Sequence, residues 1–556
     1  MAAGIAEPIV LEDVADAVQA GELVGGFSLP AAARSLWSAA RRSPGLGRRA
    51  AALAAETTKI LVGSDGVAPK KSDWRFRDET WREHPAYRRL MQTYLAGCQA
   101  LEEAVEVADL GWRDKERARF AAAILTSAVA PTNTLLGNPA AVKRAYETAG
   151  FSLLRGTRNF AKDVRSNRGM PSTVNRDAFT VGTDLAATPG AVVYRDDVCE
   201  VLQYAPSTSM VRSRPVLMVP PQISKYYFMD LSPGRSFVEH AVAQGLPFFV
   251  ISWRNVTADQ RDWGLETYAA AIDRVLDVVR EVAGSDDVNL ISLCAGGITT
   301  ATVLSHLAAT GDPRVHSASF GVTLLDFGVP APIGMFRMAP LLALVRERSA
   351  RTGFLDAASL SAVFSWMRPN DLVWNYWVNN YLMGNDPPVF DILAWNADPT
   401  NLAARLHADF LELMQENLLV TKDGLEVLGT PVDLEKVTID TYVTGATTDH
   451  LTPWRGCYQT TQLLSGRNRF VLSNAGHIAS LVNPPGNPKA HFFAGPEPIG
   501  DADEWLAGAE QRSGTWWDDW ATWVTERSGD ERKAPAKLGS RRHRAAEPAP
   551  GTYVYG

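Results

Sequence analysis

The sequence predicts an α/β fold, a largely parallel sheet with helical crossovers, preceded by a mainly helical domain. From Ala191 onward, short β-branched and aromatic runs recur between stretches of helical period. Between two of these runs, Leu265, Tyr268, Ile272, Val275, Leu276 and Val279 repeat at helical spacing and run into Gly284, a residue suited to ending a helix. Upstream of Ala186 the chain is Ala-rich, with charge interleaved through stretches such as 101–130.

In chain order, residues 1–186 read as a mainly helical N-terminal domain, broken at Pro131 and at Asn138-Pro139. The runs Ala191 to Tyr194, Pro215 to Val219, Pro247 to Trp253, Val288 to Leu293, Ala318 to Leu325, Val437 to Val443 and Arg469 to Leu472 read as buried strands of a domain spanning 187–530. Strand, helix, strand implies parallel neighbours. After Leu325 the alternation stops, and the segment holding Trp366, Trp374, Tyr376 and Trp377 reads as an insertion over about 327–433, a mobile lid above the sheet. Residues 531–556, with Arg532, Lys533, Lys537, Arg541, Arg542 and Arg544, read as a solvated basic tail.

Composition excludes several classes. With 556 residues, 46% of them hydrophobic, the chain can bury a large core, so disorder is ruled out. A net charge of -7 supplies no concentrated basic face, so no nucleic acid is expected as partner. Cys98, Cys199, Cys294 and Cys457 are irregularly spaced, which predicts neither a metal site nor a disulfide framework and fits a reducing cytoplasm. Met1 to Val24 lacks the pattern of an export signal, and the charge-free stretch Val288 to Gly311 is too rich in Ser, Thr and Gly to be a transmembrane segment.

The sharpest chemical signal is Val288-Asn-Leu-Ile-Ser-Leu-Cys294-Ala-Gly-Gly297, an apolar strand entering a small-residue turn and then a helix-compatible segment, the pattern of a nucleophile elbow. Small residues two positions before and after the nucleophile, here Ser292 and Gly296, let the chain take the strained bend. A thiol there meets the helix N-terminus, and the Ala295 amide faces a developing oxyanion. The base and its orienting acid are expected after later strands, which selects Asp449 and His477, with His450 as a competitor beside Asp449. A second oxyanion donor is expected from Val219-Pro-Pro-Gln-Ile-Ser224; proline has no N–H, so Gln222 or Ile223 must supply it, and Ile223 is the candidate. Arg254 and Arg368 are candidates for phosphate contact.

These residues resemble the polyhydroxyalkanoate synthases, whose lipase-like box carries Cys in place of Ser and is followed by Asp and His. Further likeness lies in Asn138-Pro-Ala-Ala-Val-Lys-Arg144, Val219-Pro-Pro-Gln-Ile-Ser-Lys-Tyr226, Ile251-Ser-Trp-Arg-Asn255, Trp366-Met-Arg-Pro-Asn-Asp371, Trp374-Asn-Tyr-Trp-Val-Asn-Asn380, Asn483-Pro-Pro-Gly-Asn-Pro488 and Pro550-Gly-Thr-Tyr553. The run Asn380 to Pro388 looks most like the class II, medium-chain branch; Ser292 departs from the usual Gly, and the first hundred residues match poorly. The resemblance implies an α/β-hydrolase fold with a cap or lid insertion and an acyltransferase that polymerises (R)-3-hydroxyacyl-coenzyme A, through a Cys294-bound thioester, into polyester with release of coenzyme A. It implies coenzyme A thioester as substrate and no cofactor, attachment to polymer granules in the cytoplasm, and a homodimer. A cysteine-dependent thioesterase or esterase of the same fold and a non-catalytic granule-binding protein are the alternatives.

Overall fold

The buried strand runs and amphipathic helices build one wide sheet in a computed structural model that describes residues 45–63, 66–329 and 339–556. Residues 1–44 of the expected N-terminal domain and 330–338 of the expected insertion lie outside the described residues. Two compact units divide the chain, Met1–Arg176 with Ala358–Leu393, and Asp177–Ala357 with Ala394–Gly556.

The first unit is helical, with helices at Leu46–Leu61, Pro85–Glu106, Trp112–Ala128, Pro139–Glu147 and Phe151–Ser166. Asn138 and Pro139 open one of them rather than merely breaking the chain: the Asn138 side chain accepts from the Ala141 N–H, and proline occupies the first turn, where no donor is missed. The Trp- and Tyr-rich stretch expected in a lid belongs to this unit. Of its π-helical turns, Trp377–Leu382 packs on Phe151–Ser166, with Phe160 edge-on to Trp377 and Tyr381, and Asn370–Trp374 lies against Trp112–Ala128. Gly156 permits the approach, since a Cβ there would overlap the Tyr381 carbonyl. The Tyr381 hydroxyl donates to buried Asp163 at 2.7 Å, and the Trp377 indole donates to the Asn133 carbonyl at 3.0 Å.

The second unit holds a ten-stranded sheet: β1 Gly190–Arg195, β2 Cys199–Tyr204, β3 Val216–Val219, β4 Phe248–Trp253, β5 Val288–Leu293, β6 Val315–Gly321, β7 Asp440–Ala446, β8 Asn468–Ser473, β9 His491–Ala494 and β10 Glu510–Ser513. Their spatial order is β1-β2-β4-β3-β5-β6-β7-β8-β9-β10. The six strands from β4 to β8 in that order are mutually parallel, and the pairs at either end are antiparallel. The helix Leu265–Ala283 forms where its spacing predicts, buries its apolar face on the sheet and ends at Gly284 in the left-handed region, φ 61°. The central strands β3 and β5 are buried along their whole length, as parallel strands covered on both faces must be.

Three expectations need correction. The helical unit ends at Arg176 rather than 186, because Leu185 and Ala186 are buried in the second unit and the Ala186 N–H donates to the Asp230 carbonyl. The segment 327–433 is not one insertion: Ala358–Leu393 belongs to the helical unit, while Leu402, Leu406, Phe410 and Leu413 pack into the core under the sheet. Helical spacing put an apolar face there, and that face is core, not lid. Nor is 531–556 a solvated tail. Glu531–Lys533 pairs with Met210–Arg212, residues 546–549 hydrogen-bond along the edge of β1, and fully buried Glu200 accepts the Thr552 and Tyr553 N–H groups. The charges that partner the basic residues, such as Glu281 beside Arg542, lie elsewhere in the chain, so they are invisible in the local sequence.

Candidate active site

The bend after β5 is where the backbone is forced. Cys294 caps the helix Ala295–Thr310 at φ 48° and ψ -121°, a conformation that costs a non-glycine residue about 1–3 kcal/mol and persists only when its surroundings fix it. Here the Cys294 N–H donates to the Gly321 carbonyl at 2.9 Å, and its own carbonyl accepts from the Gly297 N–H at 2.9 Å. Gly296 is required because a Cβ would stand 2.6 Å from the carbonyl oxygens of Val219 and Pro220. Ser292, in place of the expected glycine, fits because its hydroxyl donates to the Ser319 carbonyl on the neighbouring strand at 3.1 Å, leaving no buried group unpaired. The Cys294 side chain is partly exposed.

Asp449 and His477 arrive from the loops after β7 and β8. Backbone bonds from Thr447 to Ser473 and from Thr448 to Ala475 tie the two loops together. His477 opens the short helix His477–Leu481, whose last carbonyls, at Ser480 and Leu481, accept from the indoles of Trp516 and Trp517. His477 Nδ1 lies 2.7 Å from Asp449 Oδ2, and both side chains are buried. The Asp449 carboxylate is filled on every side. Oδ1 accepts the N–H groups of Leu451 and Thr452, and Oδ2 accepts the Thr452 hydroxyl at 2.7 Å. Thr452, which also stands 3.1 Å from His477 Nδ1, is a site residue that sequence reasoning missed. The only sequence signal for it is the three-residue spacing after Asp449, common to many turns.

Burial disfavours the His477 imidazolium, but Asp449 and then Cys294 outweigh it and hold the ring's pKa up at about 10. Burial likewise opposes ionisation of Asp449, yet the imidazolium and the Thr452 donors keep its carboxyl below the usual range. Cys294 is close enough to His477 to favour its imidazolium, so sulfur, imidazole and carboxylate neighbour one another. His477 rather than His450 faces the Asp449 carboxylate.

The loop after β3 completes the surroundings. Its Val219 and Pro220 carbonyls abut Gly296, the Gln222 amide donates to Thr299 one turn into the elbow helix, and partly buried Ile223 follows. Ala295, the other candidate oxyanion donor, is buried at the first position of that helix. Arg254 and Arg368 are engaged by Asp197 and Asp371. Among the described residues no cluster of His, Cys, Asp or Glu is arranged to hold a metal, and no helix is long and apolar enough to cross a membrane.

A parallel sheet of this order, with a strained cysteine turn after its middle strand and an aspartate and a histidine on later loops, has the form of an α/β hydrolase, and residues 224–484 match the family model described as alpha/beta hydrolase fold. Residues 72–241 match the model described as the poly-beta-hydroxybutyrate polymerase (PhaC) N-terminus. The chain is 47% identical to poly(3-hydroxyalkanoate) polymerase 1 of Ectopseudomonas oleovorans over 90% of its length and 89% of that protein, and 44% identical to polymerase 2 of the same organism over 90% of each. Identity to the poly(3-hydroxyalkanoate) polymerase subunit PhaC of Cupriavidus necator is 40%, over 87% of this chain and 83% of that one. The chain belongs to the poly(3-hydroxyalkanoate) polymerase family, and it is an enzyme.

Proposed function

We propose that the enzyme transfers (R)-3-hydroxyacyl units from coenzyme A to a growing polyester through a thioester on Cys294. The observation that carries the reading is the strained elbow at Cys294 with the His477 and Asp449 pair beside it. The Cys294 sulfur attacks the thioester carbonyl while its proton passes to His477, and the Ala295 and Ile223 amides hold the tetrahedral oxyanion. Collapse expels coenzyme A as a thiolate, which takes the proton from the imidazolium. A second unit then brings its hydroxyl to the acyl-enzyme. His477, supported by Asp449, removes that proton, the new ester forms, and Cys294 leaves and is reprotonated.

A cysteine suits this sequence because one thioester is exchanged for another at nearly constant energy, whereas a serine ester would dissipate the activation needed for the next bond. Asp449 and the ionised Cys294 sulfur favour the imidazolium, so once His477 has taken the cysteine's proton it is suited to hand it to a departing thiolate. Granule association and a homodimer belong to the same reading and rest on kinship with the polymerases. The test is purified protein with (R)-3-hydroxyacyl-coenzyme A. Wild type releases coenzyme A and forms insoluble polyester, and Cys294→Ala does neither while its circular dichroism stays native. Free hydroxy acid in place of polymer would point to a thioesterase, and turnover by Cys294→Ala would end the acyl-enzyme reading.

A further inference from the structure

The loop that follows β3, Pro220 to Tyr227, is fixed from two directions. On the sheet side the Trp253 indole donates to the Pro220 carbonyl at 2.9 Å, and Gln222 donates to Thr299 at 3.1 Å. On the other side stands one turn of chain, Trp395 to Asp398, closed by the Asp398 N–H donating to the Trp395 carbonyl. The Trp395 indole donates to the Lys225 carbonyl at 2.8 Å, and its ring packs against Phe228 with centroids 5.2 Å apart. Asp398 then divides its carboxylate: Oδ1 accepts from Lys225 Nζ at 2.8 Å and Oδ2 from the Tyr227 hydroxyl at 2.8 Å.

The Lys225 side chain is only 8% exposed, against 37% for Asp398. A buried ammonium is tolerated where it has a partner, so the pair is built into the fold rather than a passing surface contact. Two fixed bonds from one carboxylate to side chains on either side of Tyr226 leave this part of the loop little freedom. The clamp begins two residues after Leu393, where the chain returns from the helical unit. A few residues on, Asn401 donates twice into the loop after β4, its backbone N–H to the Asn255 side-chain oxygen and its side-chain amide to the Val256 carbonyl.

We propose that Asp398 is a positioning residue for the reaction: through Lys225 and Tyr227 it holds the loop after β3 so that the loop's amide stays aimed at the oxyanion formed on Cys294 chemistry. This rests on the acyl-enzyme reading above and adds a residue outside the elbow and the Asp449 and His477 pair. Because an oxyanion donor acts on the transition state more than on bound substrate, loosening its loop lowers kcat and leaves KM alone. The elbow and the His477 ring are held by other bonds, so the sulfur keeps its reactivity.

The experiment compares wild type, Asp398→Ala, Lys225→Met and Tyr227→Phe for coenzyme A release from (R)-3-hydroxyoctanoyl- and (R)-3-hydroxybutyryl-coenzyme A, beside the rate of Cys294 alkylation by iodoacetamide. Expected for Asp398→Ala is a fall in kcat of roughly tenfold or more, less than the loss of a whole donor, with KM and alkylation within about twofold of wild type. Lys225→Met and Tyr227→Phe, each removing one of the two bonds, give smaller falls of the same kind and serve if Asp398→Ala does not fold. Wild-type kcat in all three variants, or alkylation falling in step with kcat, overturns the proposal. A Cys294→Ala control separates the failures: if that variant turns over, the acyl-enzyme reading falls and takes this inference with it. If it is dead while the Asp398 variant is fully active, only the clamp is refuted.

Discussion

Replacing Asp449 by asparagine probes the site most sharply, because the structure dictates how the amide must sit. Oδ1 accepts the N–H groups of Leu451 and Thr452, so the asparagine oxygen takes that place and its NH2 takes the place of Oδ2, facing His477 Nδ1. A donor at that point requires Nδ1 to accept. The neutral ring then carries its proton on Nε2, the nitrogen left to face Cys294, and it can no longer take a proton from sulfur. The charge that holds the ring's pKa near 10 also disappears, while the burial that lowers it remains. From 6.5 to about 10 corresponds to about 5 kcal/mol at about 1.4 kcal/mol per tenfold change in proton affinity, the net left after burial is subtracted from the coupling of His477 to its neighbours. Losing a positioned base costs about 10²- to 10⁴-fold in rate. Coenzyme A release under saturating (R)-3-hydroxyacyl-coenzyme A, read by a thiol reagent, should therefore fall by at least about 100-fold at pH 7.5, with native circular dichroism. A variant within threefold of wild type would refute the assignment of Asp449 as the group that sets the His477 tautomer.

The pH dependence has a definite sign. His477 is raised in the folded state, so its contribution to stability is full below about 6.5 and is lost as pH climbs toward 10; the difference in unfolding free energy between wild type and Asp449→Asn should shrink over that window in urea titrations, and a constant difference contradicts it. Gly296→Ala sets a methyl 2.6 Å from two backbone carbonyls that cannot swing away, so it should cost about 1–3 kcal/mol in chemical denaturation and depress kcat. Ser292→Gly gives up one hydroxyl-to-carbonyl bond and should cost about 1 kcal/mol with activity retained; loss of activity would mean the hydroxyl does more than pair with Ser319. Glu200→Gln removes the charge that Arg195 and the Thr552 and Tyr553 amides share in the interior, and should cost about 3–5 kcal/mol and open the C-terminal segment to carboxypeptidase, whereas unchanged proteolysis would show that edge pairing alone holds it.

Much of the site was legible because it is local. The elbow needs an apolar strand, small neighbours and a helix within ten residues, and those lie in one stretch from Val288 to Gly297. Asp449 and His477 follow their strands closely, so chain order alone ranked them above the other candidates. Thr452 was not legible, since a threonine three residues after an aspartate is ordinary turn sequence, and its role appears only when His477 comes up beside it. β10 was equally hidden: Glu510–Ser513 is wholly exposed and polar, and it is a strand because β9 offers it an edge.

The sequence by itself determined the parallel sheet, the position of the strained bend and the order of cysteine, aspartate and histidine along the chain, because periodicity and backbone sterics act over a few residues. Only the tertiary structure decided that the aromatic stretch joins the helical unit, that Leu402 to Leu413 is core, that the basic C-terminal segment is anchored on Glu200, and that Asp398 reaches the loop after β3. Each of these depends on pairing groups hundreds of residues apart or on which apolar face finds which partner, and a buried charge or a close glycine contact is specified by the far side of the contact as much as by the near one.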